Sequence, residues 1–101
     1  MYYTYILVSE KFNAYYVGYT ANLNHRLLAH NNGMVRATKN RGPWKIFYHE
    51  KFETEVGAVQ RERQIKSWKS RKAIERLKFY QNRGSSTSYS KFIDESRDKK
   101  V

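Results

Sequence analysis

Residues 2–20 read YYTYILVSEKFNAYYVGYT, and this stretch predicts the centre of the fold. Residues 2–8 form a continuous β-branched and aromatic run, which is typical of a strand that is buried on both faces. Residues 9–14 are polar and predict a turn, and residues 15–19 predict a second strand. Gly18 interrupts that strand, where glycine marks a bulge or a close approach of backbone. Two strands with a short polar connection predict an antiparallel hairpin.

The rest of the chain predicts three helices and one further strand. Polar caps, apolar periodicity and stop signals predict the three helices. The first begins after Thr20 or Asn22 and ends near His30, the second is capped by Thr54 and runs to about Trp68, and the third runs from Arg71 to about Gln81. A basic loop over residues 34–44 and a strand over residues 45–50 lie between the first helix and the second. This β-β-α-β-α-α order predicts an α/β fold, in which a small, three-stranded, largely antiparallel sheet is flanked by helices.

The distribution of charge separates a basic domain from a polar tail. The chain has 101 residues and carries 20 Lys and Arg against 9 Asp and Glu, a net charge of +11. A change of composition near Gly84 predicts a folded domain over residues 1–81 and a polar, flexible C-terminal tail over residues 82–101. The tail accounts for only +2 of the charge, so the basic part is the folded part. This favours a polyanionic partner, with nucleic acid first and an anionic membrane surface second.

The composition excludes several classes of protein. No cysteine is present, which excludes a disulfide-stapled secreted domain. Aromatic residues make up 16% of the chain, which argues against a disordered protein. No apolar run approaches the roughly 20 residues that a membrane-spanning helix needs. The first residues also lack the pattern of a signal peptide, so we expect a cytoplasmic protein.

Three polar residues fall on helical faces that the apolar pattern assigns to the core. On the second predicted helix, Glu62 lies within the stripe formed by Ala58 and Ile65. On the first, Arg26 and His30 lie one turn apart on the apolar face. Each has a structural interpretation: a salt bridge for Glu62, a stem packed on the sheet for Arg26, and a satisfied interior histidine for His30. The functional interpretation is a metal-binding or catalytic carboxylate opposite a cation.

The order and spacing of these residues resemble the GIY-YIG nuclease superfamily. Residues 3–5 (YTY) and 16–18 (YVG) are similar to its paired signature. Arg26 lies eight residues after the second signature, where the family carries its arginine. Glu62 lies in AVQRERQIK, where the family carries its metal-binding glutamate. The resemblance covers residues 1 to about 80 and is to the small single-domain bacterial branch.

The resemblance implies hydrolysis of DNA phosphodiester bonds with Mg²⁺ or Mn²⁺, and branched or damaged DNA in repair is one candidate substrate. It implies that Tyr5 and Tyr16 are the signature tyrosines, that Arg26 binds the scissile phosphate, that His30 lies near the attacking group and that Glu62 holds one metal ion. These roles suit the chemistry, because the transition state gathers negative charge and one carboxylate is a normal protein contribution to a Mg²⁺ site. We expect Tyr5 to be the general base, with help from His30 and with a phenol acidified by nearby cations.

The chain departs from the family pattern in both signature regions. The first signature lacks the glycine and isoleucine of the family name, although it keeps the tyrosine. Tyr19 stands where some relatives carry a lysine. Lys66, one turn beyond Glu62, is either a partial replacement for that cation or, as the pattern favours, a lysine of the solvated helix face.

The basic residues outside the site are candidates for contacts with DNA. Arg36, Lys39 and Arg41 in the basic loop, together with Lys66, are expected to contact phosphates rather than bases. The sequence shows no second DNA-binding domain. Specificity would therefore come from the basic loop, the basic helices, the structure of the DNA or a partner protein. Two alternatives stay open: a basic nucleic-acid-binding module with weak or no turnover, and an accessory subunit whose activity needs a partner.

Overall fold

A computed structural model describes the backbone of residues 1–83 and the side chains of residues 1–79. The elements are β1 (Tyr2–Ser9), β2 (Ala14–Thr20), α1 (Leu23–Asn31), a short 3-10 turn (Arg36–Thr38), β3 (Lys45–Phe52), α2 (Glu55–Trp68) and α3 (Arg71–Arg83). Their order is the predicted one, with the 3-10 turn added inside the basic loop. Met1–Lys69 forms one compact unit and the segment from Ser70 onward forms another. The predicted tail lies outside the described residues from position 84 onward.

The three strands form one antiparallel sheet in the order β2-β1-β3. The predicted α/β class and three-stranded sheet are therefore confirmed, with β1 at the centre. Tyr5 pairs with Gly18 on one side and with His49 on the other. The pairing with β2 is regular, whereas the pairing with β3 shifts by one residue between Ile6 and Leu7.

Helices α1 and α2 cover opposite faces of the sheet, which explains the continuous apolar run of β1. On one face, Tyr5 and Leu7 are buried with Trp44, and Leu23 and Leu27 of α1 pack against this cluster. On the other face, the Thr4 hydroxyl donates a 2.7 Å hydrogen bond to the Ala58 carbonyl oxygen of α2. Successive residues of β1 alternate between these two interfaces, so the middle of the strand, Thr4 to Leu7, is buried on both faces.

The helices begin at caps that the sequence identifies. The Asn22 side chain accepts a 3.0 Å hydrogen bond from the His25 amide, and the Thr54 hydroxyl accepts one of 3.1 Å from the Gly57 amide. In the second unit, the Ser70 hydroxyl accepts a 3.2 Å hydrogen bond from an amide in the first turn of α3. None of the helices within residues 1–83 is long and apolar enough to cross a membrane.

The basic loop is fixed to the domain by uncharged groups. The Asn31 side chain bonds both backbone groups of Trp44, donating to its carbonyl at 3.0 Å and accepting from its amide at 2.7 Å. The buried Trp44 indole donates to the Thr38 carbonyl at 3.2 Å. The Ser9 hydroxyl at the end of β1 donates to the Arg41 carbonyl at 2.6 Å. The loop therefore keeps a defined shape without using its cationic side chains.

Candidate active site

The Tyr5 ring lies directly over Gly18 of the neighbouring strand. A Cβ atom at position 18 would stand 2.7 Å from the Tyr5 hydroxyl oxygen and 3.1 Å from the Tyr16 ring. Because no side chain could occupy that space, the glycine serves a close approach and not a bulge. The two signature stretches thus build one site, in which the Tyr5 and Tyr16 ring centres are 6.4 Å apart.

His30 connects this pair of tyrosines to the basic loop. It is 2% exposed, and its Nε2 lies 2.9 Å from the Tyr5 hydroxyl. Its Nδ1 lies 2.7 Å from the Thr38 hydroxyl, and the Tyr16 ring packs on it with centres 4.9 Å apart. Both ring nitrogens therefore have partners, as an interior histidine requires, and one of those partners is a signature tyrosine. The sequence gives no signal for Thr38, since only the folded loop brings it to His30.

The pKa values in this site are set mainly by burial. Burial raises the pKa of Tyr5 to about 12, and the hydrogen bond from Arg26 opposes this without overcoming it. Burial, followed by the charge of Arg26, lowers the pKa of His30 to about 4. The phenol acidified by cations that the sequence led us to expect is not observed. At neutral pH, Tyr5 is instead a protonated phenol beside a neutral imidazole.

Arg26 has no carboxylate partner within residues 1–79. The pKa of its guanidinium is raised, chiefly by the hydrogen bond to Tyr5. Its Nε is buried without a hydrogen-bond partner, and no carboxylate among the described residues pairs with it. Arg61 offers a comparison, because this partly buried arginine donates through Nε and Nη2 to Glu50 at 2.9–3.1 Å. Arg26 can therefore accept an anion that Arg61 cannot.

Glu62 of α2 is a carboxylate that acts on this site through its charge. Its side chain is 15% exposed, and its Oε2 forms a 2.6 Å ion pair with Nζ of Lys66. Burial is the main cause of the raised pKa of Tyr5, and the charge of Glu62 adds to it. The charge of Glu62 also raises the pKa of Tyr19, after the larger effect of Glu55, which accepts a hydrogen bond from Tyr19. The carboxylate is thus within electrostatic reach of both strands of the hairpin.

The donor set of the site suits a metal ion that keeps most of its water. Within residues 1–83, no three His, Asp or Glu side chains converge on one point, so the protein offers Glu62 as a single carboxylate ligand. Mg²⁺ is commonly bound through one or two carboxylates together with water and substrate phosphate. Lys66 is 51% exposed on a flexible stem, so it can release the carboxylate to a cation.

The three loop cations predicted to contact DNA are all exposed. Lys39 also lines a cleft of about 620 Å³. The cleft lies between the basic loop and the turn that joins β1 and β2, and the turn contributes Lys11 and Phe12 to its wall. His30 forms part of the same wall. The loop therefore brings positive charge to the side of His30 that is remote from Tyr5. Lys66, the fourth predicted contact, is held by Glu62 and belongs to the site itself.

Comparison with known proteins agrees with the resemblance in the sequence. Residues 1–78 match the family described as the GIY-YIG catalytic domain. The chain is 46% identical over 67 residues to a UPF0213 protein of Clostridium perfringens, covering 65% of this chain and 71% of that protein. It is 36% identical over 76 residues to a UPF0213 protein of Staphylococcus haemolyticus, covering 74% and 92%.

Two further relatives differ in how much of their length is matched. A UPF0213 protein of Bacillus pumilus is 41% identical over 58 residues, which are 56% of this chain and 59% of that protein. A solution NMR structure of a UPF0213 protein from Bacillus halodurans is similar with a TM-score of 0.47 and 30% identity. The similarity covers 76% of this chain and 82% of that one.

Proposed function

The chain belongs to the GIY-YIG family, a nuclease-type family, and from this premise we propose that it hydrolyses phosphodiester bonds of DNA with the help of Mg²⁺ or Mn²⁺. The observation that carries the proposal is the uncompensated charge of Arg26 beside the hydroxyls of Tyr5 and Tyr16. A half-buried cation without a carboxylate is costly for a fold to keep unless an anion uses it. Branched or damaged DNA is the substrate we propose to try first.

Arg26 is suited to the phosphate of the transition state. Negative charge on the phosphate oxygens grows as the attacking oxygen approaches, and a fixed guanidinium stabilises that charge without having to reorganise. The hydrogen bond to Tyr5 holds Arg26 next to the group that would handle the proton of the attacking water. Charge stabilisation and proton transfer therefore meet at one pair of side chains.

Tyr5 can act as a base only if it gives up its own proton. With a pKa of about 12, its phenol is protonated at neutral pH. We propose that a proton passes from the attacking water to the Tyr5 oxygen while the Tyr5 proton passes to Nε2 of His30, 2.9 Å away. The net result is a hydroxide for attack on phosphorus and a protonated His30. This concerted transfer replaces the phenolate that the sequence suggested.

Glu62 is the residue that would hold the metal ion. When bound, a divalent ion supplies Lewis acidity for the phosphate and for the leaving oxygen. Lys66 then returns to solvent, where it can contact the phosphate backbone. In the resting protein the same lysine forms a 2.6 Å ion pair with Glu62.

A plasmid-nicking assay with Mg²⁺ or Mn²⁺ tests this function. We expect Arg26→Ala and Glu62→Gln each to lose at least about 100-fold in nicking rate, because each removes a group that stabilises charge in the transition state. Arg63→Ala, on an exposed position of the same helix as Glu62, is the matched control and should nick like the wild type. Equal nicking by all four proteins would reveal a contaminating nuclease and overturn the proposal.

A binding module without turnover is the second candidate function. The 2.6 Å ion pair between Glu62 and Lys66 favours it, because it occupies the carboxylate that a metal would need. Such a protein would bind DNA mainly through its excess of positive charge. Salt-sensitive gel shifts, with no cleavage of duplex, nicked, flap or single-stranded substrates, would support this function over hydrolysis.

A further inference from the structure

Thr38 is a buried hydroxyl inside an otherwise exposed loop. It is 1% exposed, and its hydroxyl lies 2.7 Å from Nδ1 of His30 and 3.4 Å from the Val35 carbonyl oxygen, to which it donates. Its backbone is held as well, since its amide donates to Val35 and its carbonyl accepts from the amide of Arg41 and the indole of Trp44. The hydroxyl is therefore placed by a rigid frame.

Hydrogen bonds link Arg26, Tyr5, His30 and Thr38 in one series, and counting the donors at its two ends shows where the protons lie. A neutral imidazole has one N–H donor and one acceptor nitrogen, and the pKa of about 4 makes His30 neutral at pH 7. Arg26 has no acceptor, so in its hydrogen bond with Tyr5 it donates to the phenol oxygen. If Nε2 of His30 also donated to that oxygen, the buried Tyr5 proton would lose its partner on His30. Tyr5 therefore donates to Nε2.

The hydrogen bonds of Thr38, at the other end of this series, agree with donation from Tyr5 to His30. Because Nε2 accepts, Nδ1 carries the proton and donates to the Thr38 oxygen, and the Thr38 hydroxyl is left to donate to the Val35 carbonyl. Each hydrogen bond from Tyr5 through His30 and Thr38 to the Val35 carbonyl then has one donor and one acceptor. From this geometry we propose that Thr38 is a positioning residue that holds His30 in the Nδ1-protonated tautomer, with its bare Nε2 directed at the Tyr5 hydroxyl.

The inference deepens the proposed function and rests on it for its catalytic consequence. Nε2 is the atom that would receive the Tyr5 proton, and it can do so only while it is unprotonated. Thr38 also lies between the two loop cations Arg36 and Lys39. The same short turn that would contact DNA phosphates therefore sets the proton acceptor of the site.

The tautomer can be measured in the resting protein, without any activity. In long-range ¹H–¹⁵N NMR spectra of the full chain, we expect His30 to show the Nδ1-protonated pattern in the wild type and in Thr38→Ser. Thr38→Val, which has the same shape without the hydroxyl, should shift His30 toward the Nε2-protonated pattern. Thr4→Val is the matched control, because it removes another buried hydroxyl that bonds α2 and does not touch His30. It should leave the tautomer unchanged.

Two results would overturn the proposal: a wild type that is already protonated on Nε2, or a Thr38→Val protein that is folded and keeps the wild-type tautomer. If Thr38→Val does not fold, the wild-type spectrum still decides, together with Thr38→Ser. If DNA is cleaved, Thr38→Val should lower kcat at least about 10-fold with little change in KM, and Thr38→Ser should restore it. Should no protein cleave DNA while the tautomer responds as expected, the proposed function fails and the role of Thr38 in setting the tautomer stands.

Discussion

At the scale of single residues, the chain treats its two half-buried arginines in opposite ways. Arg61 is neutralised by Glu50 and stacks on the Trp68 ring at 5.5 Å, which is how a structural arginine is kept. Among the described residues, Arg26 has the hydroxyls of Tyr5 and Tyr16 as partners and no carboxylate. A sequence cannot distinguish them, because both lie on partly apolar helical faces. The difference arises in the folded protein, where strand β3 places Glu50 next to Arg61.

The buried His30 makes folding stability depend on pH. Its pKa falls from 6.5 to about 4 on folding, so between these values the unfolded chain binds more protons than the folded one. The folded protein therefore keeps its full stability above about pH 6.5. It loses stability as the pH falls toward 4, and the loss from His30 is complete below about pH 4. The loss is up to about 3 kcal/mol, at about 1.4 kcal/mol per pKa unit.

Urea unfolding at several pH values checks this prediction. The wild type should lose stability between pH 6.5 and 4 more steeply than His30→Gln, which has no group to titrate at that position. His25→Gln, on an exposed position of the same helix, should keep the wild-type slope. Parallel slopes for the wild type and His30→Gln would contradict the assignment.

At the scale of secondary-structure elements, most of the architecture could be predicted from the sequence. Caps are local, so Asn22 and Thr54 could be identified from their positions before apolar helical runs. The enclosed β1 could be identified because burial on both faces removes alternation. Glu62 could be singled out because a carboxylate breaks an apolar stripe.

The parts that could not be predicted depend on contacts between distant segments. Thr38 acquires its role only when the basic loop folds back onto α1, which depends on Trp44 and on its two bonds from Asn31. The direction of the Tyr5 pKa shift could not be predicted from the sequence either. It depends on how completely the neighbouring strand and helix enclose the phenol, and the sequence showed only the nearby cations.

The clamp between Asn31 and Trp44 should hold the whole basic loop. In Asn31→Ala, two backbone groups of Trp44 lose their partners, so we expect stability to fall by about 1–3 kcal/mol. The Trp44 indole proton, which bonds the Thr38 carbonyl, should exchange faster with solvent in NMR measurements. Asn24→Ala, exposed on the same helix, should change neither quantity. Unaltered indole exchange in Asn31→Ala would show that the loop is held by other contacts.

At the scale of the whole molecule, most of the excess positive charge lies outside the candidate site. The net charge is +11, and the site contributes little to it, because Arg26, Lys66 and Glu62 together carry +1. The outer cations can therefore attract DNA without competing for the scissile phosphate. The exposed cations of the basic loop are the best placed to do so, because the loop is anchored by uncharged bonds.

Neutralising the loop should weaken DNA binding and flatten its dependence on salt. For the triple variant Arg36→Gln, Lys39→Gln and Arg41→Gln, the slope of log K against log salt should fall in magnitude by about 2–3, since each phosphate contact contributes about 0.9. Fluorescence anisotropy at several salt concentrations measures this slope. A control that neutralises Lys45, Lys51 and Arg63, which are exposed on β3 and α2, should retain most of it. An unchanged slope in the loop variant would place the DNA elsewhere on the surface.

The steric fit between Tyr5 and Gly18 has a consequence for how this chain can vary. The two positions lie 13 residues apart in sequence but share one volume, which is filled entirely from one side. Substitutions at the two positions are therefore coupled, because a larger residue at position 18 is tolerable only if a smaller one stands at position 5. In a library randomised at both positions and selected for folding, the permitted pairs should follow a fixed total side-chain volume. Selection for cleavage should then reduce them to the tyrosine–glycine pair.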